Sequence, residues 1–160
     1  MSEPAASSEE VTAIIIVDHG SRRAASNEML EVATRNFAAQ SDYGIVEPAH
    51  MELAEPDIAT AFRNCVNRGA TRIIVFPYFL SPGRHWSEDI PRLVAEAAAE
   101  HPNVAWLVTA PFGLHSGMAE IINDRIAHCL NVAKQGSGSC DACSAESPCQ
   151  FGGSSAPAGE

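Results

Sequence analysis

The fold is decided at residues 11–21, which read VTAIIIVDHGS. The run from Val11 to Val17 is continuous, largely apolar and rich in β-branched residues, which is typical of a strand covered on both faces. It ends in the polar turn Asp-His-Gly-Ser at residues 18–21. Apolar residues then recur at helical spacing and predict a helix whose buried stripe is Met29, Leu30, Ala33 and Phe37.

The alternation of strand and helix continues along the chain. Further strands are predicted at residues 44–50, 72–78 and 104–108, where short apolar runs end in polar loops. A helix is expected after each strand. This order predicts an α/β fold, with a single-domain parallel sheet of about four strands and helices on both faces.

Proline, glycine and capping residues place the ends of the helices. The second helix is predicted to begin at Pro56 and to be capped by Gly69, and the third to take Ser87 as its N-cap. The buried stripes expected on the second and last helices are Ile58, Phe62, Cys65 and Val66, then Met118, Ile121, Ile122, Ile126, Cys129 and Leu130.

Composition sets the domain boundaries and excludes some partners. The 160 residues divide into a loose arm at 1–10, a domain at 11–134 and a Gly/Ser-rich tail at 135–160.

A net charge of −10 argues against binding to nucleic acid or anionic lipid by charge. No apolar run approaches the roughly 18 residues that span a membrane. Five cysteines, an odd number, favour a reducing compartment, by default the cytoplasm.

Each of the four predicted strands is followed by a loop that carries a histidine. These are His19, His50, His85 and His115. Because ligands bind outside the carboxyl ends of parallel strands, we expect the four imidazoles at one edge of the sheet. The pattern favours a metal site or an acid–base site.

Carboxylates accompany these histidines. Glu52 follows His50 closely and is the strongest candidate for acid–base work, whereas Glu47, Glu88 and Asp89 are interpreted as strand-end and helix-end surface charges. Imidazoles beside a few carboxylates suit Fe²⁺, Co²⁺, Ni²⁺ or Zn²⁺ and also suit proton removal.

Arginines lie in the same predicted loops. Arg22 and Arg84 could supply counter-charge to a polyanionic substrate, since guanidinium groups pair with carboxylates. No glycine-rich phosphate motif of the GxGxxG or GxxxxGKS type occurs, so the chemistry is expected to proceed without ATP.

Several motifs, in chain order, resemble those of the small class II chelatases, which insert a divalent metal into sirohydrochlorin. They are HGS at 19–21, ME at 51–52 with Pro56 after it, PxFLxxGxH at 77–85 with DIP at 89–91, and PxGxH at 111–115. The resemblance covers Val11 to about Leu130. It implies a chelatase-like fold and insertion of Fe²⁺ to make siroheme, or of Co²⁺ on the way to cobalamin, without ATP.

The resemblance also implies roles for single residues. His19 and His85 would take the metal, Glu52 would take up a proton or steer the ion, and His50 is a possible additional ligand. The predicted substrate-binding residues are Ser21, Arg22, Arg84 and His115. Longer relatives contain two copies of the domain, so one copy implies a homodimer.

The tail carries Cys140, Cys143 and Cys149, whose spacing suits zinc or an iron–sulfur cluster. The tail is similar to the cysteine-bearing extension of some plant and bacterial sirohydrochlorin chelatases, which implies a [2Fe-2S] cluster. The competing interpretation is a tail that captures metal loosely.

The predicted function is therefore that of a sirohydrochlorin ferrochelatase. A cobalt or nickel chelatase acting on a related tetrapyrrole is the alternative within the same class. A metal carrier and a redox-sensing module are the alternatives from other classes, since histidines and thiols also serve metal delivery and thiol switching.

Overall fold

The structure, a computed structural model, describes residues 9–136, 140–143 and 150. Its strands form one parallel sheet in the order β2-β1-β3-β4. The strands are β1 Thr12–Asp18, β2 Ile45–His50, β3 Arg72–Pro77 and β4 Ala105–Val108. The predicted α/β fold with a four-stranded parallel sheet is confirmed.

Helices follow the strands in the described residues, one after each strand. They are α1 Ala24–Gln40, α2 Ile58–Asn67, α3 Ile90–Ala99 and α4 Gly117–Gln135, with a five-residue π-turn at His85–Asp89 directly before α3. Helix α1 packs on one face of the sheet, and α2 and α3 pack together on the other.

Strand β1 is central, which explains its unbroken apolar sequence. Ala13, Ile15 and Val17 are fully buried in the cluster that includes α2 and α3. Ile14 and Ile16 point to the opposite face and pack there in a cluster with Leu30 of α1. A strand that is covered on both faces needs apolar residues at every position, so the run at the start of the chain is continuous rather than alternating.

The stripe predicted on α1 is partly wrong. The residues buried on α1 are Leu30 and Thr34, whereas Met29 and Phe37 are 59% and 38% exposed. Thr34 fits the interior because its hydroxyl donates to the Leu30 carbonyl one turn earlier, at 2.8 Å. Phe37 stacks instead on Tyr43, with ring centroids 6.3 Å apart.

Helix α2 begins two residues later than predicted. Asp57, not Pro56, caps it, because the Asp57 carboxylate accepts from the Thr60 N–H at 2.8 Å. The Pro56 carbonyl instead accepts a hydrogen bond from the backbone N–H of His50, the last residue of β2. The predicted end is confirmed, since Gly69 follows the last turn with φ +94°.

Cys65 is a core residue, as predicted. Its side chain is fully buried on α2, and desolvation raises the pKa of the thiol to about 12. The thiol therefore stays protonated and unreactive at neutral pH.

The start predicted for the third helix is wrong. Ser87 lies inside the π-turn and its N–H donates to the Gly83 carbonyl at 3.0 Å, so it does not cap the helix. Helix α3 begins at Ile90, and Pro91 sits in its first turn, where a missing N–H costs little.

The chain divides into two compact units, one ending at Gly113 and the other beginning at Leu114. The second unit contains α4, on which Val132 is the buried residue of the helix. Cys129, predicted to be a core side chain, is exposed, because the stripe that was expected to be buried faces outward. The outward-facing apolar residues are Ile121, Ile122, Ile126 and Leu130.

Across the described ranges, none of the helices combines the length and the apolar character that crossing a membrane requires.

Candidate active site

The loops that follow β1 and β2 are hydrogen-bonded to each other at the carboxyl edge of the sheet. The Met51 N–H donates to the Asp18 carbonyl at 2.8 Å, and the Glu52 N–H donates to the His19 carbonyl at 3.1 Å. The parallel pairing of β1 with β2 thus continues past the strand ends. Residues that are far apart in sequence become neighbours in this way.

His19 and Glu52 form a side-chain pair at this edge. The His19 Nε2 atom lies 3.1 Å from the Glu52 Oε1 atom, and the two side chains are 42% and 53% exposed. An imidazole and a carboxylate in contact can exchange a proton and can also present lone pairs to a cation. Their exposure leaves both groups open to a ligand.

His85 completes the group from the third loop. Its ring meets the His19 ring edge to face, with centroids 5.0 Å apart and planes at 80°. The π-turn places this side chain, and the Trp86 indole N–H fixes the turn by donating to the Thr109 carbonyl at 2.8 Å. Wide turns of this kind are common at functional sites. The structure therefore brings together all three predicted catalytic residues.

Asp89 holds the imidazole of His85. The His85 Nδ1 atom lies 2.9 Å from the Asp89 Oδ2 atom, one turn further along the π-turn. This contact directs the other ring nitrogen, Nε2, away from the carboxylate. A side-chain nitrogen with a fixed direction is what a metal-binding imidazole requires.

His50 occupies a different position from the other histidines. It is completely buried, and its Nδ1 atom lies 2.6 Å from the Asp18 Oδ1 atom. Its suggested role as an additional ligand stays a prediction, since burial separates it from the half-exposed His19 and His85.

The predicted substrate-binding residues have varied surroundings. The Ser21 hydroxyl accepts from the Arg23 N–H at 3.0 Å and so shapes the turn before α1. Arg22 is exposed, and Arg84 is 85% exposed with a 3.4 Å contact to Glu88. Their role in substrate binding stays a prediction.

His115 belongs to the second unit. There its Nδ1 atom accepts from the Gly117 N–H at 3.1 Å, at the start of α4. Of the tail cysteines, Cys140 and Cys143 are half-buried in the same unit. The third, Cys149, lies outside the residues that the structure describes.

Two carboxylates have side-chain partners that the sequence interpretation did not assign to them. Asp89 was assigned to a helix end, yet it orients His85, and the spacing of four residues between them was the available signal. Asp18 directly precedes His19, but its partner is His50, its register neighbour on the next strand. Only knowledge of which strands pair could have revealed that contact.

Nowhere in the described part of the chain do three or more His, Cys, Asp or Glu side chains converge in a geometry that would hold a metal ion. A resident ion needs such a set, commonly of four ligands. An ion that only passes through needs fewer ligands from the protein, because water and the acceptor molecule complete its coordination. Among the described residues, His19 contacts Glu52 and His85 in two separate side-chain pairs.

Comparison with known proteins identifies relatives of this chain. The family model described as CbiX matches residues 13–129. The chain is 51% identical over 142 residues to the chloroplastic sirohydrochlorin ferrochelatase of Arabidopsis thaliana, covering 89% of this chain and 63% of that protein. It is 39% identical over 89 residues to the sirohydrochlorin cobaltochelatase of Methanocaldococcus jannaschii, covering 56% and 62%.

A solved structure shares the fold. SirB from Bacillus subtilis with Fe³⁺ superimposes with a TM-score of 0.68 at 31% identity, over 71% of this chain and 45% of that chain. The present chain thus spans less than two thirds of each of these relatives. Because the family model matches well over half of its residues, the chain belongs to the CbiX family.

Proposed function

We propose that the protein is a lyase that inserts Fe²⁺ into sirohydrochlorin without ATP and so makes siroheme. The observation that carries the proposal is the group formed by His19, Glu52 and His85 at the carboxyl edge of the sheet. The 51% identity to a ferrochelatase favours iron over other metals.

Insertion requires two events that this group can support. The ion must lose water ligands, and two pyrrole N–H protons must leave the macrocycle as metal–nitrogen bonds form. His19 and His85 would offer nitrogens to the ion. If the ion took the Nε2 atom of His19, the Glu52 carboxylate would lose its present partner and could accept one pyrrole proton, while the other proton would pass to solvent.

The macrocycle would be held by polar residues around the group. Sirohydrochlorin carries many carboxylates, and Arg22 and Arg84 are exposed guanidinium groups in the first and third loops. The contact between Arg84 and Glu88 is a long surface pair that costs little to break. Ser21 is proposed to contribute a hydrogen bond. The substrate-binding role that the resemblance implies for His115 stays a prediction, since His115 belongs to the second unit.

Asp89→Asn should slow metal insertion about tenfold while leaving the fold unchanged. The amide can no longer hold the His85 imidazole as an anionic acceptor, and loss of such a partner typically lowers metal affinity or activity 10- to 100-fold. Initial rates of insertion at varied Fe²⁺ measure the effect. Glu88→Gln is the matched control, because it removes one charge from the same turn without touching the imidazole. Equal rates in the two variants would contradict the role of Asp89.

The proposal is tested by anaerobic absorption spectroscopy of sirohydrochlorin. Purified protein is mixed with the macrocycle and with Fe²⁺, Co²⁺ or Ni²⁺ in turn, against protein-free controls. A chelatase accelerates the spectral change, and the rates rank the metals. A metal carrier binds the ion and leaves the rate of the spectral change as it is in the control.

Cobalt insertion, on the way to cobalamin, is the second candidate. The observation in its favour is the 39% identity to a cobaltochelatase, and imidazole and carboxylate groups accept both ions. A faster reaction with Co²⁺ than with Fe²⁺ in the same assay would favour it.

We further propose that the protein acts as a homodimer. The chain covers 45% of SirB, so two copies would supply an amount of structure similar to one SirB chain. In the second unit, α4 exposes Ile122, Ile126 and Leu130 along one side, as a helix that meets a partner does. Light scattering should return twice the chain mass of 17.0 kDa.

The tail thiols are proposed to hold a [2Fe-2S] cluster. Cys140 fits this role, because its Sγ atom accepts the Cys143 N–H at 3.3 Å and backbone N–H groups lower the pKa of its thiol. Arg125 of α4 pairs with both carboxylate oxygens of Asp141 and anchors the loop between the two cysteines. A third ligand would be Cys149. When bound, the cluster supplies one-electron redox chemistry.

Replacing both Cys140 and Cys143 with serine should abolish visible cluster absorption and leave insertion by the domain intact. The reason is that serine cannot replace thiolate as a soft ligand of iron. Absorption spectra and iron content of anaerobically purified protein provide the measurement, and Cys65→Ala is the matched control. Unchanged absorption in the double variant would contradict the cluster.

The cytoplasmic location stays a prediction, since the Arabidopsis thaliana relative is chloroplastic by name. Cell fractionation followed by immunoblotting tests it, and recovery of the protein in an organelle would replace the prediction.

A further inference from the structure

We propose that Asp18 and His50 form a buried positioning pair that sets the geometry of His19 and Glu52, and that His50 is not a ligand of the ion. This inference rests on the proposed function, because it assigns the pair a role in the same site. It replaces the possible ligand role of His50 with an indirect one.

The pair follows from strand register. Asp18 and His50 are the last residues of β1 and β2 and lie side by side in the parallel ladder. Their side chains meet, with the His50 Nδ1–H donating to the Asp18 Oδ1 atom at 2.6 Å. A short contact between a carboxylate and an imidazole is stronger than a neutral hydrogen bond.

The Asp18 carboxylate connects this pair to the turn that carries His19. The Oδ1 atom that accepts from His50 also accepts from the Gly20 N–H at 2.9 Å. Because His19 lies between Asp18 and Gly20, one oxygen atom fixes the backbone on both sides of it. The direction of the His19 side chain depends on that turn.

His50 connects the pair to the loop that carries Glu52. The backbone N–H of His50 donates to the Pro56 carbonyl at 2.8 Å. This bond joins the two ends of the loop that carries Glu52. The Glu52 N–H donates to the His19 carbonyl at 3.1 Å. The Asp18 carboxylate thus holds the first loop and the His50 backbone holds the second, and the side-chain contact between Asp18 and His50 joins the two. The 3.1 Å contact between His19 and Glu52 lies at the ends of these loops.

Burial argues against ligation by His50. Its exposed fraction is 0%, and Asp18 occupies its Nδ1 atom. Its Nε2 atom is also buried and finds no hydrogen-bond partner among the residues that the structure describes. A buried polar atom without a partner is unfavourable, so the contact with Asp18 is the interaction that favours an imidazole at this position.

Three substitutions of His50 separate the possible roles. In His50→Asn the amide nitrogen lies near the position of Nδ1 and can still donate to Asp18. In His50→Gln the amide reaches the position of Nε2 instead, and His50→Phe fills the space without any donor. The matched control is His101→Phe, which removes an imidazole that stacks on Phe62 near the end of α3.

The proposal predicts a specific order of activities. We expect kcat for insertion to fall about tenfold in His50→Phe and His50→Gln and to recover to within about threefold of the unsubstituted protein in His50→Asn. A ligand role predicts the opposite order, with His50→Gln above His50→Asn, and would overturn the proposal. Losses of activity that simply parallel the decreases in melting temperature would also overturn the proposal, because they would indicate that His50 has only a packing role.

A second measurement does not depend on insertion. The visible absorption of added Co²⁺, with no macrocycle present, reports the geometry of the ion at His19 and His85. The bands should shift in His50→Phe and stay unchanged in His50→Asn and His101→Phe. If the unsubstituted protein fails to insert any metal, the proposed function fails, whereas identical Co²⁺ bands in every variant overturn the positioning pair alone.

Discussion

Alanine in place of His19 or His85 should lower the rate of metal insertion at least a hundredfold and leave the protein folded. The two rings contact each other edge to face, and each has its own carboxylate, Glu52 for His19 and Asp89 for His85. Removing either ring removes a nitrogen for the ion and releases a carboxylate from its partner. Groups that transfer protons typically contribute about 10²- to 10⁴-fold to the rate.

Stability should change little in these variants. Both side chains are about half exposed and lie in loops, and surface substitutions of this kind usually change the free energy of unfolding by about 0.5 kcal/mol or less. His101→Ala is the control, because His101 lies just before β4, at the amino ends of the strands and not at their carboxyl ends.

The measurement is the initial rate of sirohydrochlorin metallation under anaerobic conditions, together with urea unfolding of each variant. If either variant keeps more than about a tenth of the activity, the assignment of His19 and His85 to the ion is wrong. If activity and stability fall together, the residues hold the structure rather than the ion.

The sheet could be predicted because its signal is local. The unbroken apolar run in β1 requires cover on both faces, and the structure shows Ile15 buried among α2 and α3 and Ile16 buried on the side of α1. The strand order β2-β1-β3-β4 could not be predicted from such runs. It depends on which strands pair, and the apolar runs of the strands do not distinguish one neighbour from another.

Helix faces were harder to predict than strands. On α1, Met29 and Phe37 are more apolar than Thr34, yet Thr34 is the buried residue. The helix is rotated so that Leu30 and the residue one turn later face the sheet, and the Thr34 hydroxyl is satisfied within the helix. Periodicity alone cannot choose between two stripes that differ by one residue.

The candidate site was predictable as a group of residues but not as a network. His19, Glu52 and His85 follow strands, and the carboxyl ends of parallel strands share an edge. Their partners Asp18 and Asp89 depend on side-chain geometry. Asp18 contacts His50 because the two are register neighbours on paired strands. The four-residue spacing of His85 and Asp89 indicates a contact only once the turn between them is known to be helical.

Gly20→Ala should destabilise the protein by about 3 kcal/mol and abolish insertion, because an added Cβ has no room. Gly20 has φ +83°, and its Cβ would lie 1.8 Å from the Glu52 carbonyl oxygen and 3.1 Å from the His50 Cβ atom. The first of these contacts is with backbone, so a rotamer change cannot relieve it. The loop that carries Glu52 must move away from the turn that carries His19.

Gly69→Ala separates the clash from the backbone strain. Gly69 also has a positive φ, +94°, but nothing lies within 4 Å of its added Cβ. The free energy of unfolding of this variant should therefore fall only by the cost of the left-handed conformation, about 1–2 kcal/mol, and its insertion rate should be unchanged. Urea unfolding and initial rates on the folded fraction measure both effects. Equal losses of stability and activity in the two variants would mean that strain alone acts at Gly20, and that the close contact between the first two loops does not set the geometry of His19 and Glu52.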